Sequence, residues 1–242
     1  MSATEALFDR GAEYDALLER GLRLTGEGKE YFMRGRLRLL GELLPLGFAP
    51  RRILDFGCGI GDTTAALAAS FPGAAVTGVD TATRAVDYAR ERHGGERVRF
   101  RALSELDRRG AYDLCYVNGV FHHIPPMQRS EALAMIRDAL GPDALLALFE
   151  NNPWNPGTRL VMARIPFDRD AQTIDPRAAV VLLRRNGFAS LGRPRHLFFF
   201  PAPLAALRGL ERYLRGLPLG GQYLVMARPV RAAAAPSGTS ST

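Results

Sequence analysis

Three glycines at alternate positions, Gly57, Gly59 and Gly61, are bordered by two carboxylates, Asp55 and Asp62, in the run RILDFGCGIGDTT at 52–64. Residues 52–56 read as a strand, and a helical pattern over 63–70 follows the loop. A strand-to-helix turn built on glycine lets a ligand come close to the main chain. The free amides at the helix start can hold a carboxylate or a sugar hydroxyl. A pyrophosphate-binding turn wants its third glycine where this chain has Asp62. Two carboxylates repel a pyrophosphate but suit a ligand that carries positive charge. S-adenosylmethionine is such a ligand, with an ammonium, a sulfonium, one carboxylate and no phosphate. Helix N-capping is the competing role for Asp62.

A second acid stands where the sugar of such a nucleoside would lie. The strand-like run 75–80 ends in Asp80, followed by Thr81. An acid about 20 residues beyond the first glycine is placed to bond ribose hydroxyls. An isolated Asp after a strand also serves as a turn residue or helix cap.

These residues need a scaffold that delivers strand ends to one edge. The pattern alternates: strands at 52–56, 75–79, 98–102, 112–117 and 144–149, and helices at 63–70, 83–93 and 130–140, the last with Ser130 as N-cap and Gly141-Pro142 as its stop. Such β-α alternation means an α/β fold, a doubly wound parallel sheet with helices on both faces and right-handed crossovers. Before it, two Leu-rich helical patterns within 1–50 form an N-terminal cap. After Glu150 the rhythm breaks into a loop-rich insert, 151–171, expected to fold as part of a lid. A helix at 176–186, a strand at 196–200, an amphipathic helix at 204–217 and a strand at 222–227 complete the main domain, 51–231. The Ala/Ser/Thr/Pro-rich residues 232–242 read as a disordered tail.

With LDFGCGIG (54–61), Val79-Asp80, YDLCYVN (112–118), FHHIP (121–125) and the helix ending Leu140-Gly-Pro142, the sequence resembles the class I S-adenosylmethionine-dependent methyltransferases over about residues 50–150. The FHHIP piece is similar to quinone-type and related small-molecule enzymes. The resemblance implies a Rossmann-like seven-stranded sheet whose last strand is antiparallel. It also implies S-adenosyl-L-methionine as cofactor, held by Asp55, the glycine loop, Asp80, Thr81 and the ends of the third and fourth strands, where Leu103, Ser104 and Asn118 stand. Related enzymes often place an Asp after the third strand to read the adenine. Here Leu103 or Ser104 fills that slot, so backbone groups would read the base instead.

In open sheets of this kind the ligand crevice lies beyond the carboxyl ends of the strands. The segments there, 118–125 and 150–154, contain His122, His123 and Glu150. The two histidines are candidate bases because imidazole titrates near neutral pH. Orienting the loop is their competing role, and Glu150 could position an acceptor or anchor the loop. Arg36 could reach the methionine carboxylate or stand on a solvated helix face. Tyr14, Tyr31, Phe121, Trp154 and Phe167 are candidate walls of an acceptor pocket, with core packing as the alternative. Asn152-Pro-Trp154 has the look of an amino-methylating motif, but that motif belongs after the fourth strand.

The bulk properties narrow the partners. The formal charge is +7 and the pI about 10.0, yet Lys29 is the only lysine and the arginines are spread along the chain. This disfavours a nucleic-acid partner. Two cysteines, no signal-peptide pattern and no long uncharged apolar run point to a cytoplasmic protein that is a monomer or homodimer and makes no membrane contact. His93, His122, His123, His196 and the cysteines have no zinc-ligand spacing, so no metal is expected. The leading expectation is transfer of a methyl group to the oxygen, nitrogen or carbon of a small organic acceptor, with specialised metabolism as the expected setting. The alternatives are an RNA or protein methyltransferase and a non-catalytic S-adenosylmethionine-binding protein.

Overall fold

The computed structural model describes residues 20–168 and 171–230, without the side chains of Leu24 and Phe167. Tyr14, most of the first cap helix and the tail expected at 232–242 lie outside the described residues, and so does the side chain of Phe167.

Helix α1 (Lys29–Leu43) leads into strand β1 (Arg52–Phe56). Then follow α2 (Asp62–Ser70), β2 (Ala75–Asp80), α3 (Thr83–His93), β3 (Val98–Ala102), β4 (Tyr112–Asn118), α4 (Arg129–Ala139) and β5 (Leu140–Asn151). The remainder is α5 (Pro156–Met162), α6 (Pro176–Arg185), β6 (Phe188–Ser190), β7 (Arg195–Leu197), α7 (Glu211–Leu214) and β8 (Gln222–Pro229). The strands form one eight-stranded sheet in the order β3-β2-β1-β4-β5-β8-β6, with β7 also paired to β8. The first five strands run parallel, and β8 is antiparallel to β5, β6 and β7. The chain order reverses between β1 and β4, which opens a crevice beyond their carboxyl ends.

Alternation along the strands explains the two cores. Leu54, Cys115, Val117, Leu146, Leu148, Tyr223 and Val225 point to the face covered by α4 and α6. Ile53, Leu114, Tyr116, Ala147, Phe149 and Leu224 point to the other, where α1 inserts Leu39 and Leu40 and α2 inserts Leu67. Strands buried on both faces are apolar at nearly every position, as parallel central strands must be.

Several local expectations are corrected. Arg129, not Ser130, begins α4; Gln128 holds the N-cap position and makes no side-chain cap bond. Pro142 does not separate helix from strand, because β5 begins at Leu140, where the chain pairs with Tyr112. The insert contains helix α5, whose Asn155 accepts a hydrogen bond from the Thr158 amide at 2.9 Å while Pro156 opens the first turn. The long helix expected at 204–217 is a 3-10 stretch, Ala202–Leu210, followed by the single turn α7. Leu204 leaves helical geometry there (φ −108°, ψ 22°). Glu211 spends its carboxylate on the amides of Phe199 and Phe200. The strand expected at 196–200 stops at Leu197, since Phe198 takes φ 63°. Strand β6 was not foreseen; three residues are too few to carry a readable period.

Leu40 has no exposed surface and sits deep in the second core. Leu40→Ala is expected to lower the free energy of unfolding by about 2–5 kcal/mol in a urea titration. A loss below about 1 kcal/mol would show that α1 is not part of the cooperative core.

Candidate active site

The site is built from the loops that follow β1, β2, β4 and β5. Gly57, Gly59 and Gly61 all take positive φ, as this turn requires. A side chain at Gly57 would collide with Val120 Cγ2, so the loop packs directly on the segment after β4. A Cβ at Gly59 would meet nothing within 4 Å, which leaves the main chain open to a ligand on that side. Asp80 braces the same loop: Gly59 N–H and Ala82 N–H each donate to its carboxylate at 2.9 Å. Burial raises the Asp80 pKa, against these amide bonds and those of Thr81.

Asp55 lies beneath the loop, almost wholly buried, and accepts a hydrogen bond from Thr64 Oγ1 at 2.7 Å. Burial, with the Asp80 carboxylate nearby, pushes its pKa up to about 7 despite the Thr64 bond and the Arg36 charge. Asp62 is not the helix cap: Gly61 holds that position. Its two oxygens instead meet Lys29 Nζ at 2.6 Å and His93 Nε2 at 3.0 Å. Thr81 and Ser104 are exposed, and Leu103 is partly buried against the first core.

Beside this crevice, at the end of β4, Asn118 and Gly119 line a cavity of about 360 Å³. Tyr31, Phe32 and Arg36 of α1 form one wall, and Leu160, Val161 and Met162 of α5 form another. Phe198, at its unusual φ of 63°, reaches in against Tyr31 and Phe32, with ring centroids 5.7 and 4.9 Å away. A bulky residue with positive φ is an outlier that clusters at functional sites. Arg36 is buried, not solvated: its Nε donates to the Tyr116 hydroxyl at 3.2 Å and Nη1 to Gln222 Oε1 at 3.1 Å. Arg208 stacks 4.4 Å over the Tyr31 ring.

His122 and His123 both face the cavity. Glu150 lies behind them, 1% exposed. One of its oxygens accepts the Phe121 amide at 2.7 Å, and the other meets His122 Nδ1 at 2.6 Å. Asp168, a residue with no sequence signal beyond its acidity, completes the group. Its Oδ1 lies 3.6 Å from His122 Nε2 and 3.3 Å from His123 Nε2. The 3-10 turn Pro166–Asp168 carries it, and the chain beyond is tied down where Gln172 N–H donates to His122 O at 2.8 Å and Arg129 donates to Gln172 O. Burial disfavours a charged His122, but Glu150 and Asp168 outweigh it and push its pKa up to about 10. Asp168 is lowered: burial opposes this, and the two histidines prevail.

Two expected pocket walls lie elsewhere. Phe121 is fully buried in the first core, where the amide bond to Glu150 turns the chain inward. Trp154 is 43% exposed with Arg177 5.7 Å over its ring. Asn152 anchors the loop: its Nδ2 donates to Pro218 O and Gly220 O, and its Oδ1 accepts from Trp154 N. Asn151, Asn155, Thr158 and Gln222 line the cavity without having been singled out by any motif.

Residues 54–146 match a family described as a methyltransferase domain. Over that stretch the chain is similar to S-adenosylmethionine-dependent methyltransferases. Among the relatives of this chain, trans-aconitate 2-methyltransferase of Methylobacterium nodulans is 32% identical over 134 residues, covering 54% of this chain and 51% of that protein. Malonyl-[acyl-carrier protein] O-methyltransferase of Legionella pneumophila is 36% identical over 89 residues, 35% of this chain and 31% of that one. The chain thus spans about half the length, or less, of these relatives. Its fold matches the crystal structure of a SAM dependent methyltransferase from Archaeoglobus fulgidus with a TM-score of 0.62 at 16% identity, covering 83% of this chain and 95% of that one.

S-adenosylmethionine is the cofactor of this family, and the residues present fit it. The Asn118 side-chain oxygen is buried with no hydrogen-bond partner, an acceptor suited to an ammonium group. Gly59 leaves room for close approach, and Asp80 and Asp55 stand at the loop. Among the described residues, no helix is long and apolar enough to cross a membrane.

The raised Asp55 pKa has a measurable consequence. The folded state holds a proton there that the unfolded chain releases near pH 4, so stability falls as pH rises to about 7 and then levels. Asp55→Asn removes this dependence. In urea titrations its stability relative to the parent protein should rise between pH 4 and pH 8, by up to about 4 kcal/mol. A difference that stays constant with pH would show that Asp55 ionises normally.

Proposed function

We propose that this chain transfers a methyl group from S-adenosylmethionine to a small organic acceptor bound in the cavity beside Asn118 and Gly119. The observation that carries this reading is the cavity itself: about 360 Å³, walled by aliphatic and aromatic side chains, adjoining the glycine-loop crevice. A volume of that size suits a small molecule and not a duplex. Trans-aconitate and the malonyl group named in the two relatives make carboxylic acids the first acceptors to try. Arg36 on the cavity wall, bonded to the uncharged Tyr116 and Gln222, supplies positive charge for such a group.

When bound, the cofactor supplies an electrophilic methyl group on a sulfonium. The glycine loop and Asp80 would hold the nucleoside, Asp80 accepting from its ribose hydroxyls as well as bracing Gly59. Asn118 would accept from its ammonium. Helices α1 and α5 screen the acceptor from water and hold it in line, which is the main contribution an enzyme makes to such a displacement. His122, fixed by Glu150, stands on the cavity wall, and an acceptor that is already an anion needs no general base.

Incubating the protein with cofactor carrying a tritiated methyl group and a cell extract, followed by size separation, tests the acceptor class. Label is expected in the small-molecule fraction. Label in RNA or protein would replace this reading with the macromolecular one, and label in no fraction would leave a cofactor-binding protein without transfer. Separately, Asp80→Asn should weaken S-adenosylhomocysteine binding about tenfold by calorimetry while the fold persists, the loss of one charge-assisted hydrogen bond. Unchanged affinity would remove Asp80 from the ribose site.

A further inference from the structure

The group formed by His122, His123 and Asp168 does more than hydrogen bonding requires. Among the described residues, one ligand atom from each lies within 4.8 Å of the other two. The Asp168 oxygen stands 3.6 and 3.3 Å from the two Nε2 atoms. Three ligands each about 2.1 Å from a common cation would stand roughly 3.0–3.4 Å apart in octahedral or tetrahedral geometry. The two distances to Asp168 are close to that spacing.

The outer shell supports the same reading. A metal-ligating histidine typically gives its other ring nitrogen to a carboxylate, which fixes ring and tautomer. His122 does so: its Nδ1 meets Glu150 Oε2 at 2.6 Å, and Glu150 is itself held by the Phe121 amide. His122 Nε2 is therefore the ring atom turned toward Asp168 and the cavity. All three residues line that cavity, so a cation held there would keep open positions facing the acceptor.

We propose that His122 Nε2, His123 Nε2 and Asp168 Oδ1 form a site for a first-row divalent transition cation on the wall of the acceptor cavity. Two imidazoles and one carboxylate favour zinc, iron(II), cobalt(II) or manganese over magnesium, which prefers an all-oxygen shell. Binding displaces the ring proton that Glu150 and Asp168 otherwise hold on His122, and the dication then meets the same two carboxylates. The open positions would take a carboxylate or hydroxyl oxygen of the acceptor and so orient it. That use rests on the proposed function; the site does not. Its assembly also explains why no spacing in the sequence gave it away: two ligands are adjacent, and the third is 45 residues further on, in an insert without periodicity.

The test uses tag-free protein stripped with chelator and then titrated with zinc alone by calorimetry and with cobalt(II) alone by visible absorption. The expected result is one equivalent bound in the micromolar range or tighter, with the ligand-field bands of a nitrogen-and-oxygen-ligated cobalt. His123→Ala and Asp168→Asn should each weaken binding at least tenfold. Both changes leave Glu150 and His122 themselves intact, and retained S-adenosylhomocysteine binding checks that the variants fold. Two results overturn the site: no binding below millimolar zinc, or equal affinity in the parent and both variants. Because the metal is added without cofactor or acceptor, this outcome is separable from that of the labelling experiment. A protein that transfers methyl groups but binds no cation loses only the site, and one that binds the cation but transfers nothing loses only the proposed reaction.

Discussion

A single buried carboxylate, Glu150, holds the two halves of the candidate site in register. It stands near the end of β5, paired with Tyr223 of β8 across the antiparallel ladder. One oxygen takes the Phe121 amide and the other the His122 ring. A carboxylate with so little exposure is tolerated only when its charge and lone pairs are met. That requirement pulls the segment after β4 onto the end of β5. It aims His122 into the cavity and sends Phe121 into the core below. Glu150 therefore acts on the acceptor side through what it orients, while its own side chain stays behind the wall.

The other half depends on a different balance of charge. Asp55 and Asp80 crowd the glycine loop from below and beside it, and burial raises both. Acids arranged in this way disfavour anions and leave the crevice ready for a cationic nucleoside. Asp62 takes no part in that field as a free charge, because Lys29 neutralises it and His93 meets its other oxygen. Lys29 also lines the acceptor cavity, so this ion pair sits at the seam between the loop and α1. The cavity reaches the sheet at Asn118 and Gly119, where the reversal of strand order leaves a gap between the β1 and β4 loops.

Where expectation and structure part, the reason is consistently a contact between distant residues. Trp154 has the size of a pocket wall, but Asn152 bends the chain beneath it and Arg177 covers its outer face. The apolar spacing over 204–217 suggests a helix, yet Glu211 is drawn to the Phe199 and Phe200 amides and Leu204 leaves helical geometry. Arg36 has the position of a solvated helix residue and is instead buried against Tyr116 and Gln222, 80 and 186 positions away. Asp168 enters the site only because the chain after it is pinned to His122 and by Arg129.

The alternation of short apolar strands with amphipathic helices, the glycine loop with its acids and the acid ending β2 were legible from residue order alone. Each is encoded locally, by side-chain period or by the backbone freedom of glycine, and the parallel sheet and its cofactor crevice follow from them. The grouping of His122, His123, Glu150 and Asp168, the burial of Arg36 and the shape of the acceptor cavity were decided only by the tertiary structure. They rest on pairs far apart in the chain, whose desolvation and hydrogen-bond energies have no meaning until packing brings the partners together.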